Sequence, residues 1–245
     1  PIPARCRYRT QPTVVNHVQP IMASTRLADL GADSFNSVGT EPSPVTKLLR
    51  ISGDCERPGI YEYPYGTAIR EILEDCGARD TQAVQVSGAA GTTLPPQEFY
   101  RTIAFEDVPT GGSFMIFNQQ RDLLDMVSNF VQFFCHESCG FCTPCRIGGV
   151  LLKNLVNKVI VGHATSYDVN EMKKIGHVMQ STAHCGLGAT APNPVLDTLR
   201  KFPGIYSKRL LNRGYEPAFD LDAALEASRT MTGRDDEAAH IRYER

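Results

Sequence analysis

The 245-residue sequence has no excess of either charge: its formal net charge is −2, and Lys and Arg never gather into a long run. A basic footprint for nucleic acid is therefore missing. No apolar run reaches the ~18–20 residues that a membrane-crossing helix needs. The first residues show no basic segment followed by a hydrophobic core, so neither a secretory leader nor direct membrane insertion is expected. Bond-making machinery is absent too. No catalytic triad, metal-binding His pair or phosphate-cradling glycine loop can be found, and Gly88-Ala89-Ala90-Gly91 and Gly111-Gly112 read as short turns. What remains, 42% hydrophobic and 21% charged, is ordinary globular material, enough for one large domain or two small ones. The cytoplasm is the expected compartment.

The eight cysteines are not scattered evenly. Without an export signal, clustered thiols point to metal binding rather than disulfides. Three of them fall in Glu137-Ser138-Cys139-Gly140-Phe141-Cys142-Thr143-Pro144-Cys145-Arg146, and a fourth in His184-Cys185-Gly186-Leu187-Gly188. Cys-x2-Cys-x2-Cys with a remote Cys is the pattern of a 4Fe–4S cubane, which takes four thiolates. The expected ligands are Cys139, Cys142, Cys145 and Cys185. A structural zinc is the alternative, although zinc prefers paired Cys-x2-Cys knuckles. Cys135-x3-Cys139-x2-Cys142 also matches a three-ligand radical-type cluster, but would leave Cys145 and Cys185 idle. Cys135, Cys6, Cys55 and Cys76 read as small core residues. His184 is expected to pack or to donate to a carbonyl.

A cluster held by four thiolates is anionic, and its surroundings must offset that charge. Thr143-Pro144 gives a cap and a first-turn proline to a helix that would start inside the motif. Its free N–H groups and positive end would face the cluster. Arg146 adds a fixed cation, and Gly140, Gly186 and Gly188 allow backbone N–H groups to approach the sulfurs.

Around this motif the chain divides into four parts. Residues 1–45 hold a β-prone run from Gln11 to Val18 and a weak helical pattern through Ile21, Leu27, Leu30 and Phe35, ended by Gly31. That is too little to bury a core. Residues 46–119 read as a compact unit: strands at 48–51 and 59–63, a helix with Thr67 as cap, Ile69, Ile72 and Leu73 inside and Gly77 after it, then strands at 83–86 and 113–117. Strand–strand–helix–strand–strand suits a β-grasp module.

Residues 120–212 turn to helical periodicity, with Leu123, Leu124, Val127, Phe130, Val131 and Phe134 on one face. Three more helices follow. They carry Val150, Leu151, Leu155 and Val159, then Met172, Ile175, Val178 and Met179 behind an Asp168/Glu171 capping box, then Val195, Leu196, Leu199 and Phe202 after Asn193-Pro194. A small helical bundle is expected. Residues 213–245 read as a surface extension with one docked helix through Leu221, Ala224 and Leu225. The fold class is α+β: a small β-grasp domain followed by a helical bundle carrying a 4Fe–4S cluster.

Together these residues resemble the family of flavoprotein subunits shared by respiratory complex I, NAD-reducing hydrogenases and NAD-dependent formate dehydrogenases. Pro12-Thr13-Val14-Val15-Asn16-His17-Val18 is similar to that family's FMN-adjacent Pro-Thr-x-x-Asn-Asn-Val segment, with His17 in place of the second Asn. Residues 46–118 resemble its soluble-ligand-binding β-grasp module. Glu137 to Gly148 matches its Glu-Ser-Cys-Gly-x-Cys-x-Pro-Cys-Arg-x-Gly signature, and Cys185-Gly186-Leu187-Gly188 its fourth-ligand turn.

His184 to Gly188, Asn193 to Leu199 and Phe219 to Asp222 bring the likeness nearest to the diaphorase branch of the NAD-reducing nickel–iron hydrogenases. The resemblance implies a hydrogen:NAD+ oxidoreductase subunit in which electrons pass between NAD(H), FMN and partner iron–sulfur clusters. It implies FMN near Val15, Asn16, His17, Gly186 and Leu187. It also implies partners in a hetero-oligomer, namely an iron–sulfur diaphorase subunit and hydrogenase subunits. The family's glycine-rich FMN- and NADH-binding half has no counterpart in these 245 residues, so residues 1–45 are expected to be its last part. The equivalent subunit of an NADH-quinone oxidoreductase or formate dehydrogenase is the alternative within the family. A non-enzymatic, zinc-stapled binding module is the alternative outside it.

Overall fold

The computed structural model describes Arg5, residues 8–211 and residues 221–235, without the side chains of Leu221 and Asp222. The chain falls into two compact units, one of residues 1–87 and 96–116, the other of residues 88–95 and 117–245.

In the first unit the run from Gln11 forms no strand; the chain is extended up to helix α1, Val18–Phe35, which kinks at Gly31 and buries none of its residues. Strands β1 (Thr46–Gly53) and β2 (Gly59–Pro64) form an antiparallel hairpin with Leu49 opposite Tyr61. Leu49 and Ile51 point into the core while Leu48 and Arg50 face out, the period-2 alternation of a half-buried strand. Helix α2 (Ile69–Asp75) buries Ile69, Ile72 and Leu73, as the sequence pattern predicts. Its cap is Ala68 rather than Thr67, whose hydroxyl donates instead to the Pro64 carbonyl. At its far end the amides of Gly77 and Ala78 donate to Glu74 and Leu73, closing the helix through the left-handed Gly77. Cys76 is fully buried there.

Strands β3 (Thr81–Val86) and β5 (Ser113–Asn118) continue the sheet in the order β2-β1-β5-β3, and β4 (Thr92–Leu94) belongs to the second unit. Within it β1 and β5 run parallel, with Ile51 opposite Phe114. Leu49, Ile51, Phe114 and Ile116 are all at most 2% exposed, and burying each contributes about 1.5–3 kcal/mol. Strand β4 was not expected from the Gly/Pro-rich stretch that contains it.

The second unit is mostly helical. Helix α3 (Leu123–Glu137) buries all six predicted face residues, and its cap Asp122 accepts from the Leu124 amide and pairs with Arg209. Helix α4 (Thr143–Ile160) packs against α3 and against α5 (Ser166–Thr182), and α7 (Asn193–Lys201) contacts α3 and α5. The buried face of α4 is only partly the expected one. Val159 is buried and Leu155 half-buried as expected, but Val150 and Leu151 are exposed, while Cys145, Gly148, Gly149, Leu152 and Val156 also face inward. The glycines decide this. A Cβ on Gly148 would lie 2.6 Å from Met179 of α5, and one on Gly149 would lie 3.4 Å from the Cys135 sulfur of α3.

Helix α5 has a capping box, but it joins Thr165 and Asp168 rather than Asp168 and Glu171. Of its predicted residues Met172 and Met179 are buried and Val178 is exposed. One polar face of α7 holds residues 90–93. Asn193 donates to the Ala90 carbonyl, Asp197 accepts from the Thr92 hydroxyl and the Thr93 amide, and Lys201 donates to the Thr93 carbonyl. Two short helices, α6 (Gly186–Thr190) and α8 (Pro203–Ser207), complete this part; α6 starts where the sequence reads as a turn. Helix α9 (Leu221–Thr232) is present, but Ala224 is exposed and Leu225 only half-buried, so its described part shows little docking. Residues 213–220 and 236–245 of the predicted extension lie outside the described residues.

Asp168 supplies a test of the second unit. Burial pushes its pKa up, but the Lys158 ammonium and the Thr165 amide and hydroxyl outweigh this and hold it below the ordinary 3.8. A carboxylate with a depressed folded-state pKa stabilises the fold above its unfolded pKa and loses that contribution as the pH falls through the folded value. Asp168→Asn should cost about 2 kcal/mol at pH 7 in urea unfolding. The difference from the unmodified chain should shrink steadily once the pH is below 3.8.

The first unit is tested at Gly53, compared with Gly162 of the second; both have positive φ. Gly53 has φ 95°, and its Cβ would sit 2.2 Å from the Ile116 carbonyl oxygen, whereas Gly162 has φ 74° and open space around it. Gly162→Ala should cost about 1 kcal/mol and Gly53→Ala about 3 kcal/mol or more by chemical denaturation.

Candidate metal centre

Helix α3 ends because Ser138 leaves helical geometry, at φ −64° and ψ 124°. The chain then turns through Gly140 in the left-handed region, at φ 74°, where a side chain would be strained. Cys139, in this turn, is exposed. Arg146 closes the loop by donating to the Gly140 carbonyl at 2.6 Å.

The cap of α4 is Cys142, not Thr143 as the sequence suggested. Its backbone is extended (φ −99°, ψ 138°), and its carbonyl accepts from the Arg146 amide at 3.0 Å. Cys145 therefore stands in the first turn. Both Cys142 and Cys145 are 8% exposed. The Cys142 thiol is held below its ordinary pKa, first by the His184 amide facing its sulfur, then by the Cys145 amide, with the Arg146 charge adding to them and burial opposing. The Ser138 hydroxyl lies 3.3 Å from the Cys145 sulfur.

The fourth cysteine arrives on a separate segment. Cys185 is exposed and caps α6, whose Ala189 amide donates to the Cys185 carbonyl at 3.1 Å. This segment lies against the first. The His184 ring sits 5.7 Å from the Phe141 ring, so His184 packs, one of its two expected roles. A Cβ on Gly188 would lie 3.0 Å from the Cys145 Cβ, 3.4 Å from its sulfur and 2.8 Å from the Ala183 Cβ. Hence Gly188 is there for close approach: any larger residue would push the fourth-ligand segment off Cys145.

Among the described residues, no group of three or more His, Cys, Asp or Glu side chains is arranged to hold a metal ion. A 4Fe–4S cubane takes four thiolates, spread over its corners. The chemistry of the donor set suits such an anionic cluster: four thiols, backbone N–H groups facing sulfur, one hydroxyl and one guanidinium.

Cys135 differs from these four. It is half-buried on α3 against Gly149, and burial raises its thiol above the ordinary pKa, against the pull of Lys153. Of the residues expected near FMN, Val15 is 63% exposed in the extended segment before α1, beside exposed Asn16, and His17 caps α1 without a side-chain bond. Gly186 has open space over it and Leu187 is half-buried, both in the first turn of α6. Val15, Asn16 and His17 belong to the first unit and Gly186 and Leu187 to the second. An open depression lined by Lys173, His177, Gln180, Leu196, Leu199 and Arg200 shares no residue with either group. Sequence reasoning missed Ser138 and Phe141; it named Gly188 for close approach to sulfur, and the structure sets that glycine against Cys145. Only the Ser-Cys-Gly wording of the motif hinted at Ser138.

Comparison with known proteins agrees with this geometry. Residues 125–209 match the NADH-ubiquinone oxidoreductase-F iron–sulfur binding region. The chain is 45% identical to the NAD-reducing hydrogenase HoxS subunit alpha of Cupriavidus necator, over 92% of this chain and 38% of that protein. It is 30% identical to an NADH-quinone oxidoreductase subunit of Streptomyces coelicolor, over 89% of this chain and 51% of that one. Among solved structures it superposes on an NAD+-reducing nickel–iron hydrogenase in the H2-reduced state with TM-score 0.83 and 40% identity, covering 98% of this chain and 43% of the other. The chain thus spans between about two-fifths and half the length of these relatives. Residues 125–209, with Cys139, Cys142, Cys145 and Cys185 among them, thus belong to the NADH-ubiquinone oxidoreductase-F iron–sulfur binding region family.

Proposed function

We propose that this chain is the electron-relaying part of the diaphorase subunit of an NAD-reducing hydrogenase. In it Cys139, Cys142, Cys145 and Cys185 hold a 4Fe–4S cluster that takes electrons between NAD(H)/FMN and partner clusters. The observation that carries the reading is the packing of the 183–188 segment onto Cys142 and Cys145, at the very start of α4. The cluster supplies one-electron storage and release. The protein's part is to hold it. Buried Cys142 and Cys145 anchor one side, exposed Cys139 and Cys185 the other. The α4 N-terminus, the His184 amide and Arg146 offset the negative charge.

Four parts of the chain support four roles. Exposed Val14, Val15, Val18, Ile21, Met22 and Leu30 suit residues 1–45 as the last part of an FMN/NADH-binding domain, whose covering surface is elsewhere. A hairpin, a helix and a strand returning parallel beside the first, as in β2-β1-β5, suit residues 46–119 as a β-grasp module. Residues 120–212 are the iron–sulfur bundle and residues 213–245 an extension. FMN contacts at Val15, Asn16, His17, Gly186 and Leu187, and partnership with an iron–sulfur diaphorase subunit and hydrogenase subunits, rest on the family resemblance. So does hydrogen:NAD+ specificity, favoured over the quinone-reductase alternative by 45% against 30% identity. No helix among the described residues is long and apolar enough to cross a membrane, and the proposed place of the protein is the cytoplasm.

Iron analysis separates the ligands from the bystander. The anaerobically assembled chain should hold about four irons; Cys142→Ser should lose most of them and Cys135→Ser should keep them. Equal loss in both would overturn the ligand assignment. Gly188→Leu should behave like Cys142→Ser, because its side chain would fill the 3.0 Å gap to Cys145. Full iron retention there would show that the segment does not need to lie so close.

A further inference from the structure

Ser138 ends α3 one residue before the first proposed ligand, yet its hydroxyl faces the third. Its oxygen lies 3.3 Å from the Cys145 sulfur and also accepts the Gly140 amide at 3.3 Å. Gly140 is fixed in turn, by its left-handed backbone and by the Arg146 bond to its carbonyl. The hydroxyl is thus held from behind by an N–H donor, which leaves its own hydrogen free for the sulfur. A thiol at Cys145 could act as donor or acceptor toward it, but a thiolate bound to iron has no proton and can only accept.

We infer that Ser138 is a positioning residue that sets the cluster's reduction potential, by donating an O–H···S hydrogen bond to the Cys145 thiolate. The inference rests on the cluster assignment above. Reduction adds one electron, and the extra negative charge falls partly on the sulfurs. A hydrogen bond to a ligand sulfur therefore favours the reduced form over the oxidised one, one of the ways a protein tunes such a centre. Cys145 is buried, so water is poorly placed to replace a lost hydroxyl. A role confined to ending α3 would make a different demand: it needs the Gly140 amide satisfied, and it is indifferent to the oxidation state of the iron.

The test uses the full chain, assembled anaerobically, as wild type, Ser138→Ala and Ser138→Thr. Iron per chain is measured first, then the midpoint potential by redox titration followed by electron paramagnetic resonance, which reads only the fraction that has assembled. Ser138→Ala should shift to a more negative potential by a roughly fivefold to tenfold change in the reduction equilibrium, the upper end being ~59 mV for one electron. Ser138→Thr, which keeps the hydroxyl, should stay at the wild-type value. An unchanged potential in Ser138→Ala, or an equal shift in both variants, would overturn the inference while leaving the cluster in place. Loss of the cluster from both variants alike would mark Ser138 as purely structural and overturn it too. A wild-type chain that assembles no iron would instead overturn the cluster assignment itself.

Discussion

The proposed cluster would gather four thiolates, a concentration of negative charge that a protein interior does not tolerate unaided. The second unit holds groups that suit that cost. Helix α4 begins on Cys142 and carries Cys145 in its first turn, so unpaired N–H groups lie beside two of the four proposed ligands. Arg146 comes next along the same turn, and its bond to the Gly140 carbonyl fixes both the cation and the loop bearing Cys139. The His184 amide faces Cys142 from the other segment. The cap of α4 and a proposed cluster ligand are the same residue, Cys142. Moving α4 by one residue would lose both functions together.

Close packing then brings the second segment in. Where α4 meets its neighbours it presents Gly148 and Gly149 together with Leu152, Val156 and Val159, and α5 meets Leu196 of α7 through Gly176, where a Cβ would fall 2.8 Å from the leucine. Helix α6 repeats the device at Gly188. The helices can therefore approach until backbone amides, and not merely side chains, reach the sulfurs. Much of what holds the α4–α6 region is ordinary burial: Leu152, Val156, Val159, Met172 and Met179 are each at most 1% exposed. The polar face of α7 fastens residues 90–93 to the same unit, which accounts for Asn193, Asp197 and Lys201 standing four residues apart.

The cysteine spacing was legible in the sequence because thiol position along the chain is itself the chemical requirement. The sheet's longer strands and α3 were legible for another reason, since period-2 and period-3.6 burial mark Leu49, Ile51, Phe130 and Phe134 directly. The inward face of α4 was legible only in part. Its apolar residues occur all round the helix, and periodicity gives weight to Val150 and Leu151 while giving none to Gly148 and Gly149, though absence of a side chain is what allows contact. Strand β4, at three residues, is too short to show a period. Thr143 before Pro144 looked like the better cap because hydroxyls usually fill that position. The structure gives the position to Cys142, and no local preference encodes that. Ser138 acts across space on Cys145, so its role appears only once the chain is folded, as does the identity of the sulfur that Gly188 approaches.

The most direct measurement is X-ray absorption at the iron edge on the anaerobically assembled chain. An iron environment of sulfur neighbours with a clear iron–iron scattering shell is the expected result, since a multinuclear iron–sulfur centre produces it and a lone ion does not. Metal found as zinc alone, ringed by four sulfurs with no metal–metal shell, would contradict it.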